Sequence, residues 1–357
     1  MRPHTTAILA SLLLLVTMPD AGAYHRVRKD IKYGPWVTEV SETGATVLWL
    51  TEGNTLDRVE MDGAEYFQTS DGHKCYGTMH SVRIDSLQPG KEYVYRLAGQ
   101  QVTEDIAEEQ IESQPMEYSN WYSFKTMDSR ADSCRFAMVN DLYSDKEMAY
   151  LLTADIKNRG FDFIMLGGNI VSSEDCSDDF LASTITILSD AAEWTPLFFT
   201  RGGEETGGCC PQCLRELFPT PTEGFWQCIR QGPVAVLVLD ASEGCTEDYL
   251  RMEAQWLEQA VCDTLFTSAP FKVAVMHMPC MDGPYMHILE EAGLDLMIAA
   301  HGDRYRELKT GEENNTFPVI FNSGEERLDF RAGKDKIAIS FNNAAGQTVH
   351  SYSISRK

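Results

Sequence analysis

Short runs of β-branched and aromatic residues, punctuated by Gly, Pro, Asn and Asp, occupy the first third of the chain. Residues 37–40, 45–51, 81–84, 92–97 and 121–125 each read as a strand. Together they predict an all-β domain over residues 24–126. Residues 104–117 are acidic and glutamine-rich and read as a long exposed loop. Residues 127–132 are polar and read as a linker. From Cys134 the pattern changes. Near-continuous apolar runs at 135–139, 161–166, 196–200, 234–239, 272–276 and 294–299 suit strands buried on both faces. Between them, 146–157, 180–193, 249–262 and 285–292 have the 3.6-residue periodicity of amphipathic helices. This alternation predicts an α/β domain over residues 133–357. The end reverts to β at 317–322, 338–342 and 349–354, with a turn at 344–347. No internal repeat or low-complexity tract is present.

The first 23 residues have the layout of a secretory leader. Arg2 gives a positive start, residues 7–16 are apolar apart from Ser11, and Ala21-Gly22-Ala23 supplies a small-x-small cleavage point. The expectation is cleavage after Ala23 and a secreted or periplasmic protein. No later stretch approaches the length of a membrane-spanning helix, so none is expected. The leader changes the reading of the ten cysteines, all of which lie beyond it. An even number in an oxidising compartment predicts disulfides. Cys209-Cys210-Pro211-Gln212-Cys213 is expected to be a loop stapled to Cys228 or Cys245. The formal charge of −24 repels a phosphate backbone and argues against nucleic acid as a partner. Asn314-Asn315-Thr316 is a glycosylation acceptor pattern.

Ligands in α/β sheets collect beyond the carboxyl ends of the strands. Those ends here are Asn140-Asp141-Leu142-Tyr143, Gly167-Gly168-Asn169, Arg201-Gly202-Gly203-Glu204-Glu205, Asp240, His277 and His301-Gly302-Asp303. Polar or glycine-rich ends on six successive runs predict a cleft that holds a site. Arg201, before a Gly-Gly turn, reads as a surface or salt-bridge residue, with anion binding as the alternative. His73, His80 and His287 show no ligand spacing.

Two resemblances give these features an expected identity. Thr43-Gly44-Ala45-Thr46-Val47-Leu48-Trp49 resembles an early strand of a fibronectin type III domain, with Trp49 in the core. Leu87-Gln88-Pro89-Gly90-Lys91-Glu92-Tyr93-Val94-Tyr95 resembles the tyrosine-corner segment of such sandwiches. The order of strand ends after Cys134 is similar to that of the calcineurin-like metallophosphoesterases, in the purple-acid-phosphatase-like branch that often carries an N-terminal fibronectin-like domain. That family reads D-x-H, G-D, G-N-H-E, a strand ending in His, and G-H-x-H. The resemblance implies a β-sandwich followed by an α/β/β/α four-layer sandwich, and metal-dependent hydrolysis of phosphate esters.

Carried over position by position, the resemblance places Asp141, Asn169, His277, His301 and Asp303 at metal-ligand positions. Glu204 stands at the family's catalytic histidine. Tyr143 replaces the first-motif histidine, Asn169 the bridging aspartate, Gly203 an asparagine ligand and Asp303 the last histidine. The family chemistry needs two divalent ions about 3.5–4 Å apart, whose mutual repulsion a bridging carboxylate offsets. A neutral Asn169, a Gly203 without a side chain and an anionic Glu204 weaken that mechanism or abolish it. The expectation is a divergent member with impaired or lost catalysis. Its cleft then holds either no metal or a single ion on Asp141, His277, His301 and Asp303, and accepts a phosphate ester or another anion. An active phosphoesterase with rebuilt ligands, and a non-catalytic extracellular protein that binds proteins or glycans, are the alternatives.

Overall fold

A computed structural model describes residues 28–102, 114–172, 185–207, 213–240, 245–279, 284–302, 304–312 and 315–356. The expected leader, residues 104–113 of the acidic loop, Asp303, Asn314, Cys176, Cys209, Cys210 and Cys280 lie outside the described residues.

The N-terminal part contains β1 (Ile31–Thr38), β2 (Gly44–Met61), β3 (Ala64–Phe67), β4 (Thr69–Ser70), β5 (His73–Lys74), β6 (Gly77–Asp85), β7 (Glu92–Gln101) and β8 (Glu117–Lys125). β2 is 18 residues long. Its first half pairs with β1 and β6, and its second half with β3 and β7, which in turn pairs with β8. One strand thus passes from one layer of a sandwich into the other. Val47, Trp49, Val59, Val82, Tyr95 and Phe124 fill the space between the layers. Gln88 N–H donates to the Tyr93 hydroxyl at 2.8 Å, which is the corner the sequence predicted.

Two six-stranded sheets follow. The first is built from β9 (Cys134–Val139), β10 (Phe163–Leu166), β11 (Leu197–Phe199), β18 (Glu326–Ala332), β19 (Lys336–Asn343) and β20 (Thr348–Ser355), in the order β11-β10-β9-β18-β19-β20. The second contains β12 (Gln227–Gln231), β13 (Val234–Val238), β14 (Phe271–Met276), β15 (Leu296–Ala299), β16 (Arg306–Leu308) and β17 (Val319–Phe321), in the order β12-β13-β14-β15-β17-β16. Helices α1 (Lys146–Thr153), α2 (Ile185–Ala192), α3 (Gly203–Gly207), α4 (Cys213–Leu217), α5 (Glu247–Ala260), α6 (Thr264–Thr267) and α7 (Pro284–Glu291) complete it.

Strand alternation divides the core into layers. Phe136, Met138, Phe163, Met165 and Phe198 face Val236, Val238, Val273, Val275 and Ile298 between the two sheets. Their neighbours on the other face, such as Ala137, Val139 and Ile164, pack on α1 and α2. Leu237, Ala274 and Met297 pack on α5, α6 and α7. The result is the four-layer α/β/β/α arrangement that the sequence predicted. Among the described residues, the helix expected at 146–157 ends at Thr153, with a separate 3₁₀ turn at Ile156–Asn158.

β18 was not legible as a strand. It lies between β9 and β19, yet alternates apolar residues with Arg327, Asp329 and Arg331. Arg327 and Asp329 are buried. Arg327 Nε donates to Asp329 Oδ1 at 2.6 Å, and its Nη1 donates to the Leu152 carbonyl at 2.6 Å and to Asp155. Ion pairing therefore fills a face that apolar side chains fill elsewhere.

The expected cysteine staple is corrected. Cys228 and Cys245 are thiols, whereas Cys213 is disulfide-bonded. Cys228 packs against the helical layer of the second sheet. Cys245 Sγ lies 3.8 Å from the Asp240 carbonyl and 3.7 Å from Arg201 Nη2.

Candidate functional site

The parallel strands of both sheets end on one edge of the molecule, where side chains stitch the sheets together. Asn140, after β9, donates to the Ala300 carbonyl beyond β15 and accepts from Asn322 Nδ2 at 2.6 Å. Thr200 Oγ1, after β11, donates to the Leu239 carbonyl at 2.6 Å. His277, after β14, sets its Nδ1 2.8 Å from the Gly167 carbonyl beyond β10.

The loops have little backbone freedom. Asp141, Tyr143, Ser144 and Asn169 all adopt positive φ, between 45° and 63°, a region costly for residues other than glycine. Gly168 has φ +90°, and a Cβ there falls 2.6 Å from Gly202 N and 2.8 Å from His277 Nδ1. Only glycine lets these three loops meet.

Asp141, His277 and His301 come together, with one ligand atom from each lying within 4.8 Å of the others. Asp141 Oδ1 is 3.8 Å from His277 Nε2 and 4.0 Å from His301 Nδ1. A carbonyl only accepts, so His277 Nδ1 carries a proton toward Gly167. In a neutral ring, Nε2 then presents its lone pair to Asp141. Burial lowers the His277 pKa, against the opposing pull of the Asp141 charge, which keeps the ring neutral at neutral pH. Three electron-pair donors this close together have the make-up of a metal-binding group, in the two-histidine, one-carboxylate pattern.

Asn169 is held by hydrogen bonds to the neighbouring loops. Its Oδ1 accepts from Glu204 N–H at 3.0 Å, which fixes the amide. Its Nδ2 therefore donates to Asp141 Oδ1 and to the Tyr143 hydroxyl, both at 3.1 Å. Tyr143 donates to Asp141 Oδ1 at 3.3 Å, and Asn140 Nδ2 to Asp141 Oδ2 at 3.0 Å. Burial, reinforced by the Asp141 charge, raises the Tyr143 pKa, so the phenol keeps its proton. Gly203 contributes no side chain, and Glu204 reaches Asn169 through its backbone. Among the described residues, Asp141, His277 and His301 are the group that could hold a metal ion. Asp303 lies outside the described residues.

Glu205 was not among the candidate site residues, whereas Arg201 was read correctly. The Glu205 carboxylate is buried and accepts from the backbone N–H groups of Gly202, Asn169 and Ile170 at 2.7–2.8 Å. It holds the Asn169 loop against α3, and its place after Gly-Gly-Glu was the available signal. Arg201 is a salt-bridge residue. It pairs with buried Asp240, which also accepts from the Tyr249 hydroxyl at 2.6 Å, and it lies over the Phe225 ring at 4.5 Å.

His301 and Gly302 form the wall between two open clefts. One, about 610 Å³, is lined by Asp141, Tyr143, Asp145, Met148, Gly324 and Glu325 among others. The other, about 440 Å³, is lined by Met278, Pro279, Arg304, Arg306 and Phe321.

Residues 35–126 match the family model described as the N-terminal domain of purple acid phosphatase. The purple acid phosphatase PPD1 from yellow lupin (Lupinus luteus) seeds superposes with a TM-score of 0.70 and 14% identity, over 90% of this chain and 74% of that one. This chain has the purple acid phosphatase fold. Its two parts correspond to the two resemblances, a β-rich N-terminal domain and a metallophosphoesterase-type α/β/β/α body. TT1561 of Thermus thermophilus aligns at 17% identity over 63% of this chain and 99% of that one, with a TM-score of 0.41. A 5'-nucleotidase from Candida albicans aligns at 10% identity over 60% and 52%, with a TM-score of 0.39. No curated protein matches the chain.

Proposed function

We propose that this purple-acid-phosphatase-fold protein holds one divalent cation at Asp141, His277 and His301 and uses it to bind an anionic ligand, having lost two-cation hydrolysis of phosphate esters. The observation that carries this reading is the Asn169 amide, whose Nδ2 donates to Asp141 Oδ1. An N–H donor turns positive charge toward the space that a bridging carboxylate turns negative. A bound cation supplies Lewis-acid polarisation of an anion's oxygen. The protein's own part is to position the ligands. Gly167 orients His277, Asn140 and Tyr143 orient Asp141, and Glu205 fixes the Asn169 loop. The imidazoles favour zinc or iron over calcium, and the carboxylate suits manganese.

A cation-free cleft is the second reading, favoured by the hydrogen bonds that Asp141 already accepts. Elemental analysis after dialysis against Mn²⁺ or Zn²⁺ decides between them. About one equivalent per chain is expected, with Asp141→Asn reducing it below a tenth. An aryl phosphate assay on the same sample is expected to show turnover near background. Two equivalents with robust hydrolysis defeat the proposal, and no bound metal favours the second reading. Export belongs to the same proposal, and N-terminal sequencing of the secreted protein is expected to begin at Tyr24.

A further inference from the structure

We infer that a groove on the outer face of β18, β19 and β20 binds an anionic oligosaccharide, whose sulfate or carboxylate groups meet Arg331 and Lys336 and whose hydroxyls meet the serines of β19 and β20. This site is separate from the cation cleft and stands whether or not that cleft holds metal.

Strand register builds the groove. Leu328, Phe330, Ile337, Ile339 and Phe341 turn inward, between the two sheets. Their neighbours Asp329, Arg331, Lys336, Ala338, Ser340 and Asn342 therefore share the opposite face. On that face Arg331 pairs with Ala338 and Ala338 with Ser353, Asp329 pairs with Ser340 and Ser340 with Ser351, and Lys336 pairs with Ser355. Arg159, after the 3₁₀ turn, closes one side by donating to Asp329 Oδ2 at 3.2 Å. Toward the edge strand β20 the face opens, and Ala338, Ser351 and Ser353 are exposed. Over these small side chains lies a groove of about 500 Å³, the size of a small-ligand site. Arg331 is aligned with Arg135 at the start of β9, whereas Asp141 follows the end of that strand. The basic part of the groove thus lies away from the cation cleft.

Its charge runs against that of the chain, which has 54 acidic residues and 30 lysines and arginines. Arg159, Arg331 and Lys336 line the groove, with Asp329 as the carboxylate among them. Asp329 is already committed, to Arg327 Nε at 2.6 Å and to Arg159. Arg331 and Lys336 are exposed and enter no ion pair among the described residues. Arg331 also stands directly opposite Arg135 across the β9–β18 pairing, and like charges so opposed destabilise a sheet. Asp162, which accepts from the Arg135 backbone N–H at 2.7 Å, offsets part of that repulsion. An external anion on the guanidinium fork of Arg331 offsets the rest.

The remaining lining selects the kind of anion. Ser340, Asn342, Thr348, Ser351 and Ser353 supply hydroxyls and an amide, which both donate and accept. Ile339 and Tyr352 turn their side chains to the core, so the floor has no pocket for an apolar side chain of a peptide. A peptide strand added to the free edge of β20 would lie about 14 Å from β18, at about 4.8 Å per strand, beside the groove and not in it. A ligand rich in hydroxyls that also carries negative charge matches both parts of the lining.

Calorimetric titration of the full-length protein in about 0.15 M NaCl tests this with a heparin-derived hexasaccharide, hexagalacturonate, maltohexaose and hexaglutamate. One of the two anionic saccharides is expected to bind about tenfold or more tightly than either maltohexaose or hexaglutamate. The double variant Arg331→Gln/Lys336→Gln is expected to weaken that binding about 10- to 100-fold, the scale of one or two charge-assisted hydrogen bonds. Ser351→Ala/Ser353→Ala, which leaves every charge in place, is expected to weaken it about three- to tenfold. All four side chains are exposed, so the substitutions leave the core untouched, and Mn²⁺ content is expected to stay as in the wild type. Failure of both anionic saccharides to bind at about millimolar concentration overturns the inference, as does binding that survives the arginine–lysine variant. Hexaglutamate bound as tightly as the saccharide, or a serine variant that binds like the wild type, overturns the saccharide assignment. Tighter binding of the heparin fragment identifies sulfate as the anion, and tighter binding of hexagalacturonate identifies carboxylate; both support the ligand class.

Discussion

Exchanging one carboxylate oxygen for an amide nitrogen reverses the charge that residue 169 turns toward Asp141. Asn169→Asp removes the donor held 3.1 Å from Asp141 Oδ1 and sets two carboxylates against each other. It is expected to cost about 1–3 kcal/mol without metal, and thermal melts should show Mn²⁺ recovering most of that loss. A Cβ at Gly203 meets nothing within 4 Å, so Gly203→Asn fits without crowding. The double variant is expected to raise bound metal toward two equivalents by elemental analysis. Away from the cleft, burial and the Asp240 charge push Glu253 from 4.5 up to about 8. The folded chain then keeps a proton that the unfolded chain releases near 4.5. The stabilisation is complete below that pH, shrinks as pH rises toward about 8 and is flat beyond it. Glu253→Gln removes the slope and should stabilise the protein by roughly 2–4 kcal/mol at pH 8 but little at pH 5, read by urea unfolding at both. Asp141, His277 and His301 were legible because each ends an apolar run. Glu205 was not, because its place after Gly-Gly-Glu does not reveal that the carboxylate is buried against backbone N–H groups.

Strands with apolar faces on both sides announce themselves, and β9, β10, β11, β13, β14 and β15 fall within or against the predicted runs. β18 did not, since Arg327 and Asp329 satisfy one of its faces by charge pairing with Asp155 and Arg159. At this scale the turn after β10 is the sensitive one. Gly168→Ala places a Cβ at φ +90° and 2.8 Å from His277 Nδ1. It is expected to cost about 2–4 kcal/mol in denaturant unfolding and to weaken Mn²⁺ binding, because His277 has to move away from Gly167.

The N-terminal domain and the four-layer body share their interior. Trp36, from β1, belongs to the same apolar cluster as Phe199, Phe218 and the buried face of α2, and its Nε1 donates to the Leu217 carbonyl at 2.9 Å. Val37, Met127, Cys134 and Phe136 lie in one continuous core. The linker at 127–132 that polarity predicts is thus flanked by buried contacts that a sequence cannot display. Calorimetry is expected to give one cooperative transition. Trp36→Phe, which loses the indole hydrogen bond and part of the buried ring, should cost about 1–3 kcal/mol and keep that single transition. Trp36→Ala should cost about 3–5 kcal/mol and separate two transitions. A protein joined through Trp36 has a hereditary consequence. Neither half can be shuffled onto a stranger without exposing a greasy scar, so recombination must move the pair together. A lineage that alters its cleft therefore carries its β-sandwich along with it.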